Sequence, residues 1–316
     1  YENYRAAKAR LFTSLEKTGT KLQGNPRLAV LNHDDQSFDF LNELVKVNKT
    51  AYGLGDGADM QAIDLSYSPE GMHFIAKHSS FRVDIKVDLV GRYNASNCLA
   101  ALGATVIGLG IEPETAAQGI ATLLGIPGRM EVIDMGQDFT AMVDFAHTPN
   151  ALKATLETAR EMLESKAGEE GRIIVVFGSA GLRDKEKRRM MAETSAGLAD
   201  LTVLTAEDPR TESLDAILDE MAAGATSKGG REGETFWRVP DRGEAIKFAL
   251  RLARPGDVVL SCGKGHEQSM CFGKIEYPWD DRTAMRAALA EYLGMDRPQM
   301  PYLPTQDRSE KEWLKS

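Results

Sequence analysis

An α/β protein with parallel strands is expected from this chain, on three grounds. Short β-branched apolar runs recur, among them Arg172-Ile-Ile-Val-Val-Phe177 and Asp200-Leu-Thr-Val-Leu-Thr205, and such runs read as strands buried on both faces. Helical segments alternate with them, as in strand–helix–strand units. At 316 residues the chain is long enough for two cores.

The opening residues read as a helix with Tyr1, Tyr4, Ala7, Leu11 and Leu15 roughly on one face. A chain that starts at Tyr1 inside a helix, without methionine, reads as part of a longer one. Arg27-Leu-Ala-Val-Leu-Asn32 is a strand ending in the polar turn Asn32-His-Asp-Asp35, and a helix over residues 38–45 and a strand over 49–54 follow. Residues 60–90 alternate polar and apolar side chains around Pro69-Glu-Gly71, which predicts antiparallel strands wet on one face. Gly91-Arg-Tyr-Asn-Ala-Ser-Asn97 opens an Ala- and Gly-rich helix ending near Gly108-Leu-Gly110. Its small side chains imply close packing on a sheet, and Asn94 or Ser96 is the expected cap. A helix over 114–124 then meets Gly125-Ile-Pro-Gly128, the best domain boundary in the chain.

Beyond it come Met130-Glu-Val-Ile-Asp134 and the strand Thr140-Ala-Met-Val-Asp144, then a helix over 150–164. The strand at 172–177, a helix through 190–198 and the strand at 200–205 form the next unit. A helix over 214–223 precedes a glycine-rich loop at 224–233, expected to be mobile. A strand at 236–239, the capping pair Asp241-Arg242, a helix over 243–253 and a strand at 257–261 complete the alternation.

Lys and Arg number 38 against 47 acids, a net charge of −9, which argues against general nucleic-acid binding. Cys98, Cys262 and Cys271 lack metal-site spacing, and an odd count suits a reducing cytoplasm. No apolar run approaches membrane-spanning length and no signal peptide is seen. A cytoplasmic protein, acting away from membranes, is expected.

Chemistry gathers at four strand ends, as Asp144/His147, Arg183/Lys187, Asp208/Arg210 and Lys264/His266/Glu267. Ligands bind open α/β sheets beyond the carboxyl ends of the strands. Gly178-Ser-Ala-Gly181 lets backbone approach closely there, and Arg183, Lys185, Lys187, Arg188 and Arg189 crowd the next helix entry, which points to an anionic ligand. Each cluster alone has an ordinary structural reading: His147 as a satisfied histidine, Lys187 as an exposed helix lysine. Four at equivalent positions make a site. The dinucleotide fingerprint GxGxxG is absent.

Several motifs together resemble the ATP-dependent Mur ligases, most closely the branch that adds a diamino acid. They are Tyr4-Arg-Ala-Ala-Lys-Ala-Arg-Leu-Phe12, Gly91-Arg-Tyr-Asn-Ala-Ser-Asn97, Gly128-Arg-Met-Glu131, Asp144-Phe-Ala-His-Thr-Pro149, Arg183-Asp-Lys-Glu-Lys-Arg188, Asp208-Pro-Arg210, Asp241-Arg242 and Gly263-Lys-Gly-His-Glu267. The resemblance implies that 1–127 is the C-terminal part of the central ATPase domain, and 128–316 a Rossmann-like parallel α/β domain for the incoming amino acid. It implies amide synthesis through an acyl phosphate, with ATP and Mg²⁺, on a UDP-muramoyl dipeptide and a diamino acid, by a monomer. Asn94, Asn97, Arg129, Asp144 and His147 match nucleotide positions, Asp144 suiting ribose hydroxyls. Arg183, Asp208, Arg210, Gly263 and Glu267 match positions that contact the amino acid, and Lys187 one that meets a phosphate. Lys8 matches a lysine that becomes a carbamate and ligates Mg²⁺; Lys8, His147 and Lys187 are thus the catalytic candidates.

Two departures from the family stand out. No phosphate loop GxxxxGK[ST] occurs in these residues, so this polypeptide alone is expected not to ligate. Phe145 replaces the usual tyrosine. Meso-diaminopimelate is the favoured amino acid, because its distal carboxylate suits a guanidinium at Arg210. Asp208 stands where asparagine is common, with Glu207 beside it, which keeps lysine and ornithine open. So do readings as a cyanophycin- or folylpolyglutamate-synthetase-like ligase, or as a non-catalytic nucleotide-binding module.

Overall fold

The computed structural model describes residues 2–19, 22, 24, 27–68, 71–165, 171–296 and 298–307. Tyr1 of the expected helical face, and Pro69 and Glu70 of the expected turn, lie outside them. The chain divides into two compact units, Tyr1–Leu124 and Gly125–Ser316.

The first unit starts with helix α1 (Glu2–Ser14). Its inward face is only in part the expected one. Leu11 is 70% exposed and Ala7 is exposed, whereas Ala9 is buried and Phe12 and Leu15 pack on Ala29, Leu31 and Val45. The spacing of three from Ala9 to Phe12 to Leu15 defines that side of the helix. Strand β1 (Leu28–Asn32), helix α2 (Phe38–Leu44) and strand β2 (Asn48–Gly53) follow, β1 and β2 pairing parallel from Leu28 opposite Asn48. Strands β3 (Met60–Ser68), β4 (Gly71–His78) and β5 (Arg82–Val87) complete a sheet in sequence order. β2 and β3 run parallel, and β3, β4 and β5 are antiparallel neighbours. Alternate residues of β5 are buried, so one face is wet as expected.

Helix α3 (Arg92–Leu102) lies on this sheet through Ala95, Leu99 and Leu102, all fully buried. It runs on as a π-helical stretch over Gly103–Gly108. A Cβ on Gly103 would stand 2.9 Å from Val30, so glycine permits the close approach. The N-cap is Gly91, at φ 101°, rather than Asn94 or Ser96. Asn94 is one turn inside, where its amide donates back to the Val90 carbonyl at 2.9 Å. Helix α4 (Pro113–Ala121) closes the unit, with proline in its first turn where no N–H is needed.

The second unit is built on a six-stranded sheet. In chain order its elements are β6 (Glu131–Val132), β7 (Thr140–Asp144), α5 (Pro149–Ser165), β8 (Ile173–Phe177), α6 (Lys185–Leu198), β9 (Leu201–Leu204), α7 (Leu214–Ser227), β10 (Phe236–Arg238), α8 (Arg242–Leu252) and β11 (Val258–Cys262). The strand order is β10-β9-β8-β11-β7-β6, parallel except for β6. Every residue of β8 and β11 is buried, as unbroken apolar runs in a parallel sheet require.

Two expectations fail here. Residues 224–227 are not loop, because α7 runs on to Ser227. Gly224 is the point where α7 meets α6: a Cβ would come within 2.8 Å of the Arg189 carbonyl. The residues after Glu267 also carry structure that no pattern announced. They form the hairpin β12 (Ser269–Phe272) and β13 (Ile275–Pro278), then helix α9 (Asp281–Leu293).

Beneath the sheet edge lies a buried network. Arg242 and Asp281, both fully buried, form a bidentate pair at 2.7 and 2.6 Å. Ser261 and the Trp279 indole donate to the same carboxylate at 2.9 and 2.7 Å. Arg242 also donates to the Ala206 and Cys262 carbonyls. A buried charge pair is tolerable only when its remaining lone pairs and protons are satisfied, and here they hold β9, β11 and α9 together.

Candidate functional site

The sheet order places β9, β8, β11 and β7 side by side, so the four polar clusters follow adjacent strand ends. β8 ends low. A Cβ on Gly178 would sit 2.5 Å from the Thr205 carbonyl, and one on Gly181 would overlap the Pro209 carbonyl. The small residues of 178–181 therefore admit the loop after β9 itself, which crosses over β8. Gly181 N–H donates to the Asp208 carbonyl at 2.9 Å, tying the two loops.

Lys264, only 2% exposed, reaches across from the end of β11. Its ammonium lies 3.1 and 3.2 Å from the two Asp208 oxygens and 2.7 Å from Glu267. Asp208, at φ 41°, also accepts from the Cys271 N–H at 2.9 Å. Arg210, at φ 54°, is clamped by the hairpin: its N–H donates to the Cys271 carbonyl, and its carbonyl accepts from Gly273. One guanidinium nitrogen donates to the Gly181 carbonyl at 3.0 Å. Half-buried Arg210 has no acid partner among the described residues. Arg210 forms no ion pair with Glu212, which is paired with Arg188.

Glu207 is the acid that sequence reasoning underused. It is 6% exposed, and its Oε2 has no hydrogen-bond partner among the described residues. A side chain at Gly263 would collide with that oxygen, so glycine leaves room for it. Burial pushes the Glu207 carboxyl up to about 7, against the pull of Arg242, Lys187 and Lys264. The available signal was an acid following directly on the buried strand residue Thr205 and Ala206.

The basic helix entry is less free than it looked. Asp184 caps α6 by accepting from Glu186 N–H at 3.0 Å. Arg188 is buried between Glu212 and Glu220, Arg189 pairs with Glu186 and Glu193, and Lys185 lies 3.6 Å from Glu220. Arg183 and Lys187 alone of the five make no ion pair among the described residues. Of the two, Lys187 helps to pull the Glu207 carboxyl down, and Arg183 is exposed.

Phe145 organises the β7 end. The exposed Arg129 guanidinium stands 4.5 Å over its ring, and the His147 and His266 rings lie 4.5 and 4.8 Å away. Loops 128–131, 144–149 and 263–267 meet here closely enough that a Cβ on Gly128 would overlap Gly265 and His266. Asp144 is buried and engaged: Met130 N–H, Ala146 N–H and Thr155 Oγ1 donate to it at 2.8, 2.9 and 2.9 Å. Its carboxylate thus shapes the loop that carries Arg129.

In the first unit, Lys8 is exposed on α1. Buried Asn94 accepts from exposed Asn97 at 3.3 Å, so the two asparagines form one pair on α3. Among the described residues no three His, Cys, Asp or Glu side chains cluster as a metal site. No helix among the described residues is long and apolar enough to cross a membrane.

The family model of the Mur ligase middle domain matches residues 1–105, and that of the Mur ligase glutamate ligase domain matches 128–265. A UDP-N-acetylmuramyl-tripeptide synthetase of Roseiflexus sp. (strain RS-1) is 38% identical over 294 residues, covering 92% of this chain and 56% of that protein. A UDP-N-acetylmuramoyl-L-alanyl-D-glutamate–2,6-diaminopimelate ligase of Geobacillus thermodenitrificans (strain NG80-2) is 37% identical over 293 residues, covering 92% of this chain and 57% of that protein. A solved structure of a ligase with that same description aligns with TM-score 0.59 at 31% identity, over 92% of this chain and 57% of that one. The chain thus spans little more than half the length of these relatives. With both domain models matched in order, the chain belongs to the Mur ligase family.

Proposed function

We propose that this chain is the larger part of an ATP-dependent ligase that joins meso-2,6-diaminopimelate to UDP-N-acetylmuramoyl-L-alanyl-D-glutamate. Arg210 carries the reading: a clamped, half-buried guanidinium at a strand end with no acid partner among the described residues. Such a group suits a carboxylate bidentately and repels a bare ammonium. Diaminopimelate presents that carboxylate at its distal end; lysine and ornithine do not. Two of the relatives described above are 2,6-diaminopimelate ligases, which supports the same substrate.

ATP, when bound, supplies the phosphoryl group that activates the dipeptide carboxylate, and the incoming amine then displaces phosphate to form the amide. Arg129 and His147, ordered around Phe145, offer a cation and an imidazole to the nucleotide, and Asn94 with Asn97 offers amides. Lys187 opposes the negative charge of the transition state. Lys8, as a carbamate, would give Mg²⁺ one carboxylate-type ligand. Glu207 and Glu267 are acids suited to an ammonium, and Arg183 is a second cation for a carboxylate.

Calorimetric titration of the chain with meso-diaminopimelate, L-lysine and L-ornithine tests the reading. Diaminopimelate should bind most tightly, and Arg210→Ala should weaken it roughly 10- to 100-fold, the worth of a charge-assisted hydrogen bond. Tighter binding of lysine or ornithine to the wild-type chain would overturn it.

A further inference from the structure

We infer that Lys264 determines which amino acid the site accepts, by acting as the permanent counter-ion of Asp208. The inference rests on the ligase reading and sharpens it. An acid beside Arg210 would ordinarily attract a substrate ammonium and weaken the selection of a carboxylate. Here both Asp208 oxygens face the Lys264 ammonium at 3.1 and 3.2 Å, and one also accepts from Cys271 N–H. Lys264 is 2% exposed, and besides Asp208 it pairs with Glu267, at 2.7 Å. A buried ammonium leaves such partners only at the cost of standing unpaired. The Asp208 charge is therefore neutralised from within the protein.

Two things follow for the pocket. Arg210 forms no ion pair among the described residues, since Asp208 is engaged by Lys264 and Glu212 is held by Arg188. Glu207, with its unpartnered Oε2, is left as the buried acid facing a substrate ammonium beside Gly263. An unpaired guanidinium and an acid with an unpartnered oxygen match a zwitterionic carbon centre. A lysine side chain, carrying only an ammonium, satisfies one of the two. Removing Lys264 would release Asp208, raise the local negative charge and favour the bare ammonium.

The test is a ratio, because a ratio separates specificity from general damage. The 316-residue chain, with ADP and Mg²⁺ present, is titrated with meso-diaminopimelate and with L-lysine. The wild type should prefer diaminopimelate. Lys264→Met should shift the affinity ratio toward lysine by roughly tenfold or more, the scale of one charge-assisted contact. Lys264→Met/Asp208→Asn, which removes both charges, should return the ratio to within about threefold of wild type. Lys264→Arg, which keeps the charge, should stay near wild type and guards against a misfolded methionine variant. A ratio unmoved in Lys264→Met, with both affinities falling together, would reduce Lys264 to a structural residue and overturn the inference alone. A wild-type chain that binds neither amino acid would overturn the ligase reading itself, and this assignment with it.

Discussion

The ends of β7 and β9 each hold a buried acid, and the two are treated in opposite ways. Asp144 receives three donors on its two oxygens, from Met130, Ala146 and Thr155. Glu207 keeps one oxygen without any donor among the described residues, and burial lifts its carboxyl to about 7. A satisfied buried carboxylate builds a loop; an unsatisfied one costs stability and is kept where a ligand can complete it. Asp144 thus builds its loop, and on the proposed ligase reading Glu207 is the acid left for a ligand.

That contrast can be broken in three ways. The largest effect is expected at Asp144→Ala, which strands two backbone N–H groups and a hydroxyl. The loss should be about 3 kcal/mol or more in urea unfolding, and a variant as stable as wild type would remove the architectural role. Next comes Glu207→Gln, read through pH. A carboxyl raised from its ordinary 4.5 to about 7 keeps its proton in the folded chain after the unfolded chain has released it. Its contribution to stability is therefore full below pH 4.5 and is lost as pH climbs to about 7, a swing of about 3 kcal/mol to order of magnitude. The difference between wild-type and Glu207→Gln stability curves should show that slope, and parallel curves would mean Glu207 is ionised and satisfied. The smallest is Thr155→Val, which takes one of the three donors from Asp144. It should cost about 1 kcal/mol and leave diaminopimelate binding unmoved.

Much of the fold was legible because periodicity in the sequence follows burial. The runs that become β7, β8, β9 and β11 are mostly apolar, β8 throughout, and the alternation over β5 predicts its wet face. What was not legible depends on close contacts between distant segments. Gly224 looks like a loop residue until α6 lies against it, and Ala9 looks equivalent to Ala7 until a core chooses between them. The site divides the same way. Its residues could be picked out, since polar clusters at strand ends are a local signal. Which charges remain available could not, since Glu212 silences Arg188 from 24 positions away and Lys264 silences Asp208 from 56.

Strand order has a kinetic consequence. β11 lies between β7 and β8, yet it follows them by a long stretch of chain that includes α6, β9, α7, β10 and α8. During synthesis the facing edges of β7 and β8 must wait for residues 258–262, roughly 5 to 20 s at ordinary elongation rates. Both edges belong to apolar strands without a charge in their centres, and exposed edges of that kind pair with whatever strand is nearest. Nascent chains halted before Val258 should accumulate as chaperone-bound or aggregated material, and those halted some 40 residues beyond Cys262, clear of the exit tunnel, should resist protease. The centre of the sheet is the last part of it to be born.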